Sequence, residues 1–163
     1  SRQFTQVPTL SGAYIGSAGP AFLSVAPDGS KIAVGNNGGA SFGNFQIGVF
    51  DTTTFTGTWL AAKHFAGAWL PDNQNLLVTA SPAFFSPSIV TLLDTASAVP
   101  ATPTNPTVIS NIGGSAAGIA LDSAGHLYTG NGFDYFGGGS NTGDVKGFLS
   151  SDWMSAIGTP LDF

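Results

Sequence analysis

The chain has 163 residues, 42% of them hydrophobic and only 8% charged, so it has the means to bury a sizeable core and is not disordered by composition. Its net charge is −5, and its four cations, Arg2, Lys31, Lys63 and Lys146, form no cluster that could neutralise a row of phosphates or hold an anionic membrane. No apolar run reaches the roughly 18 residues that span a bilayer, and the absence of cysteine excludes disulfides, thiolate metal sites and cysteine nucleophiles.

All nine acidic residues are Asp, and there is no Glu. Asp favours turns and caps, whereas Glu favours helices. With 23 Gly and 10 Pro, this composition predicts many short strands joined by tight turns. In chain order, residues 2–7 or 9–15 read as one outer strand. Strands follow at 22–26 and 31–35, joined by the turn Pro27-Asp28-Gly29-Ser30. A Gly/Asn loop leads to a strand at 45–51, and another is expected at 58–62. The next set is 68–70, the turn Pro71-Asp72-Asn73-Gln74, then 75–79, an apolar loop, 89–94 and 107–111. Residues 98–106 carry three prolines without apolar alternation and read as a surface loop. The last set is 118–121, the turn Asp122-Ser123-Ala124-Gly125, then 126–130, a long glycine-rich loop and 145–148. No fourth strand is expected in 150–158.

These sets are three copies of one unit, about every 45–50 residues, which is the spacing of propeller blades. The expected fold is all-β: a β-propeller segment of about three four-stranded blades, forming an incomplete ring. The blades fall near 20–65, 66–115 and 116–163, with 1–19 as the outer strand of a preceding or neighbouring blade. The motifs Ser24-Val25-Ala26-Pro27-Asp28-Gly29, Ile32-Ala33-Val34-Gly35-Asn36-Asn37, Val49-Phe50-Asp51-Thr52 and the run from Gly118 to Tyr128 resemble YVTN and NHL-like β-propeller repeats. The resemblance covers roughly residues 20–150 by repeat spacing. It implies the fold and leaves the function open, since family members include binding scaffolds, surface proteins and enzymes.

Propellers close with about 4–8 blades, and open sheet edges invite pairing. The remainder of the ring is therefore expected from another chain, from the rest of a longer chain, or from self-association. In the last case two copies give six blades, each N-terminal strand filling its neighbour's last blade. The chain starts at Ser1 without a signal peptide, as a processed chain or a fragment does. Few Lys with abundant Gly, Ser, Thr and Asn suggest a secreted, periplasmic or cell-surface protein.

The repeat serves as an internal control for function. Asp28, Asp72 and Asp122 recur at one turn, and Asp51 and Asp94 each close a strand, so a structural role covers all five. Asp134, Asp144, Asp152 and Asp162 remain. The loop that begins near Asn131 carries Asn131, Asp134, Asn141 and Asp144, oxygen donors that suit calcium, although EF-hand spacing is absent. A glycine-rich hairpin loop explains the same residues without a metal. Phe133 and Tyr135 there, and Phe84 and Phe85 in the second loop, are candidate contacts for a protein partner. With Asn36, Asn44 and His64 they would lie on the face where loops between the second and third strands meet loops between blades. His64 has no counterpart in the repeat, whereas His126 reads as a solvated turn residue. Ser115, His64 and Asp134 could be written as a triad, but no nucleophile-elbow spacing supports it. The glycines at 137–139 lack the Lys-Ser/Thr of a phosphate loop. The expected function is a noncatalytic scaffold or interaction module with no cofactor. Alternatives are half of a calcium-dependent hydrolase or lactonase-type propeller, as the resemblance implies, and a cell-surface structural protein.

Overall fold

The structure, a computed structural model, describes residues 20–36, 46–62, 64–80, 87–96, 106–112, 115–133, 144–157 and 159–162. Twelve strands and one short helix are present among them. The first sheet is a meander of β1 (Pro20–Val25), β2 (Lys31–Asn36), β3 (Gln46–Asp51) and β4 (Gly57–Ala61). The second contains β5 (Ala66–Trp69), β6 (Asn75–Ala80), β7 (Ile89–Asp94) and β8 (Thr107–Ser110) in the same order. The third holds β9 (Ser115–Leu121), β10 (Leu127–Phe133) and β11 (Val145–Phe148). All these pairings are antiparallel, and the three sheets resemble propeller blades.

The repeated turns form because each Asp carboxylate collects amide donors that the tight bend leaves without strand partners. Asp28 Oδ1 accepts from the Ser30 amide at 2.9 Å and its hydroxyl at 2.7 Å. Asp72 Oδ1 accepts from the amides of Gln74 and Asn75, both at 2.8 Å. Asp122 Oδ1 accepts from the amides of Ala124 and His126, both at 2.9 Å. Asp51 does the same for Thr53 and Thr54 at the end of β3, and Asp94 for Ala96 after β7. The Ser30 bonds at Asp28, the Thr54 bond at Asp51 and the His126 bond at Asp122 hold these carboxyls below their ordinary range. Gly29 and Gly125 take positive φ of 74° and 78° in their turns, which a side chain would strain.

The blades stack face to face. Ala26, Ala33, Ile47 and Leu60 of the first sheet pack on Trp69, Leu76, Val78 and Leu93 of the second. The second sheet's other face supplies Leu77, Val90, Val108 and Ile109 to a core with Leu127 and Phe148 of the third. Polar contacts stitch the first two blades. Trp69 Nε1 donates to the Ser24 carbonyl at 3.1 Å, and Lys31 Nζ donates to the Asn73 carbonyl at 3.0 Å.

The C-terminal region departs from three uniform four-stranded blades. After β11 the chain forms α1 (Ser150–Ser155), and β12 (Leu161–Asp162) then pairs in parallel with β8. The second sheet thereby gains a fifth strand, and the third has three. The physical reason is Trp153. With Ala156 three residues on, it presents one apolar helical stripe, and both are buried in the core between blades two and three. Its Nε1 donates to the Gly125 carbonyl at 2.9 Å. His126 is half-buried rather than solvated, and its Nδ1 accepts from the Ser150 amide at 3.1 Å where the helix begins. At β8, Asp162 accepts from Ser110 Oγ at 3.2 Å and from Asn111 Nδ2, which covers the outer edge of blade two.

Candidate functional site

Asn36 ends β2, and His64 lies between β4 and β5. Both side chains are 2% exposed. Asn36 Oδ1 accepts from the Gln46 amide at 2.8 Å, which pins together the two ends of the first Gly/Asn loop. His64 Nδ1 lies 2.8 Å from the Ala62 carbonyl and Nε2 2.6 Å from that of Asn36. The Phe22 ring meets the imidazole edge-on, with centroids 5.4 Å apart. Burial lowers the proton affinity of His64, and the two carbonyls oppose that shift without cancelling it. Both residues are thus engaged inside the chain, where they tie the end of β2 to the start of β3 and to the β4–β5 connection.

Of the other sequence candidates, Asn44, Phe84, Phe85, Asp134, Tyr135 and Asn141 lie outside the described residues. Asn131 and Phe133 belong to β10, opposite Ala116 and Ser115 of β9. Gly130 pairs with Val145, so Asn131 and the exposed Asp144 stand at the two mouths of the long loop. Among the described residues, no group of three or more His, Asp, Cys or Glu gathers as a metal site. No helix among them is long and apolar enough to cross a membrane.

The strand registers reveal a feature that reading the loops missed. In blade one, Leu23 pairs with Val34, and Val25 with Ile32, which in turn pairs with Phe50. Because side chains alternate across a strand, these five residues share the sheet face turned away from blade two. Trp59 joins them opposite Gly48. A Cβ on Gly48 would come within 2.5 Å of the Phe50 ring and 2.9 Å of Trp59, so glycine there lets the two rings meet edge to face on the sheet, centroids 5.5 Å apart. The equivalent register positions in blade two are Trp69, Leu76, Val78 and Leu93, all buried by blade one. Those in blade three include Leu121, Leu127 and Phe148, packed against blade two. In blade one, Leu23 is 66% exposed and Val25 51%.

Blade three has the opposite surface. Its outward face pairs Gly118 with Gly130, Ala120 with Tyr128 and Gly147 with Tyr128. A Cβ added to Gly118 or Gly130 would meet nothing within 4 Å. Tyr128 donates its hydroxyl to Asp122 Oδ2 at 3.1 Å, which draws its ring toward the turn. One end of the stack is therefore a projecting apolar face, and the other is a glycine- and alanine-rich face from which Tyr128 and Val145, the latter 70% exposed, project. The blade-one face carries no charged side chain among the described residues, and the blade-three face carries the Asp122 carboxylate at its turn end, bonded to Tyr128. The chemistry available to them is burial against another flat sheet.

No family model matches the chain, and no curated protein matches it in sequence. Among solved structures, the chain is similar to hydrazine synthase from Kuenenia stuttgartiensis, with a TM-score of 0.60 and 17% identity over 84% of this chain and 35% of that one. The β-propeller domain of the Trilobed protease from Pyrococcus furiosus, described as having an open velcro topology, aligns with a TM-score of 0.47 and 12% identity over 80% and 43% of the two chains. The chain spans about a third of the hydrazine synthase chain it matches. At such identities the likeness concerns the fold alone.

Proposed function

We propose that this chain is a noncatalytic interaction module of the YVTN or NHL-like propeller type, which builds a ring together with further blades. The loop end of the stack would then offer Asn44, Phe84, Phe85, Phe133 and Tyr135 to a protein or ligand, in a secreted, periplasmic or cell-surface setting. One observation carries this reading: the blade-one positions equivalent to the buried Trp69 and Leu76 hold the exposed Val25 and the half-buried Ile32, on a face that no other sheet among the described residues covers. An apolar sheet face of this kind is built to be packed.

The test is the native mass together with amide exchange. The chain runs heavier than 16.5 kDa, and amides of β1 and β2 exchange more slowly than in a Leu23→Lys/Val25→Lys variant. A stable, well-folded monomer with identical exchange in both would overturn the reading. Calcium titration monitored by calorimetry tests the loop donors Asn131, Asp134, Asn141 and Asp144 separately.

A further inference from the structure

We propose that the two open faces are each other's partners: blade one of one copy packs on blade three of a second copy, and two copies stack head to tail as six blades. This rests on the reading that further blades cover these faces, and it adds the identity of the partner. The support is the size pattern at equivalent registers. At the first interface the bulky Phe22 lies over Gly67, where an added Cβ would come within 2.8 Å of the ring. The same two positions between blades two and three hold Ala66 and Ile119, small against large. Continuing the cycle sets Gly118 of blade three against Leu23 of blade one, again small against large.

A second row repeats the pattern. Trp69 stands against Ser24, to whose carbonyl its ring nitrogen donates, and Leu121 occupies the position equivalent to Trp69 with Ala68 facing it in register. The next pair in the cycle is Val25 with Ala120. The third member of each row exists only if blade three meets blade one of another copy. A heterologous contact closes into a ring when its rotation allows, and six blades lie within the propeller range of about 4–8.

The chain has no cysteine, so engineered disulfides report this contact without background. Val25→Cys/Ala120→Cys is expected to give a covalent dimer on oxidation, while each single variant remains uncrosslinked. Light scattering of the parent should give twice 16.5 kDa. Gly118→Leu adds a side chain whose Cβ meets no described atom within 4 Å, and it should weaken dimerisation about tenfold or more while leaving the circular dichroism unchanged. If Val25→Cys alone crosslinks as well as the pair, or if Gly118→Leu dimerises normally, the inference fails. A crosslink from Val25→Cys to a different polypeptide would overturn the second copy as partner and leave the interaction-module reading standing. A folded monomer that crosslinks to nothing defeats both.

Discussion

Replacing Gly35 with alanine decides between two opposed effects. Alanine in a strand interior gains about 0.5–1 kcal/mol over glycine through the unfolded state. Against that, the new Cβ at Gly35 would lie 2.2 and 2.4 Å from Phe22 ring atoms and 2.6 Å from His64 Cδ2. Carbon atoms pack best at about 3.5–4.0 Å, so the rings must retreat by more than about 1 Å. Phe22 has little room to do so. On its other side an added Cβ at Gly67 would already stand 2.8 Å from the same ring. Overpacking of this kind costs about 1–3 kcal/mol, and expelling a core Phe about 3–5. The expected net loss is about 2–4 kcal/mol, which lowers Tm by roughly 5–15 °C in a domain of this size. The assay is thermal melting of the parent, Gly35→Ala, Phe22→Ala and the double variant. The double variant should show at least about 1 kcal/mol of favourable coupling, because removing the ring makes space for the methyl. A Gly35→Ala protein that melts within about 2 °C of the parent, or a cycle that is additive, would refute the packing argument.

Trp153→Phe keeps the ring but loses the bond to the Gly125 carbonyl, and should cost about 1 kcal/mol in chemical denaturation. Trp153→Ala empties the site and should cost about 3–5 kcal/mol, with loss of α1 visible in amide exchange. Stability should fall on acidification in two limbs. His64 has its pKa lowered by burial, so the unfolded state takes the proton first, and stability begins to decline as pH falls below the ordinary 6.5. His64→Gln should remove that limb. The Asp28, Asp51, Asp72 and Asp122 carboxyls are also held low, so their contribution is complete above the ordinary 3.8 and is lost as pH falls through their lower folded values. Asp122→Asn should blunt this second limb, and melting curves that stay flat down to pH 2 would contradict the turn assignments.

The strands were legible because each blade carries alternating apolar residues bounded by an Asp turn. The runs 22–26 and 31–35 place β1 and β2 almost residue for residue. The structural role of five aspartates was equally legible, since recurrence at one register separates geometry from chemistry. The loop candidates were visible as composition, but two of them, Asn36 and His64, turn inward onto backbone groups. No local pattern reveals that, because the partner of His64 Nε2, the Asn36 carbonyl, lies 28 residues away in sequence. The C-terminal helix was missed because residues 150–155 have only one large buried side chain to mark a period.

By itself the sequence determined the repeat, the turn chemistry and the short apolar strands. Its composition also set aside phosphate-bearing partners. Only the tertiary structure decided which of those apolar residues meet another blade. Period-two alternation tells that two residues share a face, but not what lies across from it. Stacking places Trp69 and Leu76 under blade one and leaves Val25 and Ile32, at the same register, without a covering sheet among the described residues. The route of the C-terminus to β8 was likewise a tertiary decision, made where Trp153 found a core between two blades rather than a place in a fourth strand.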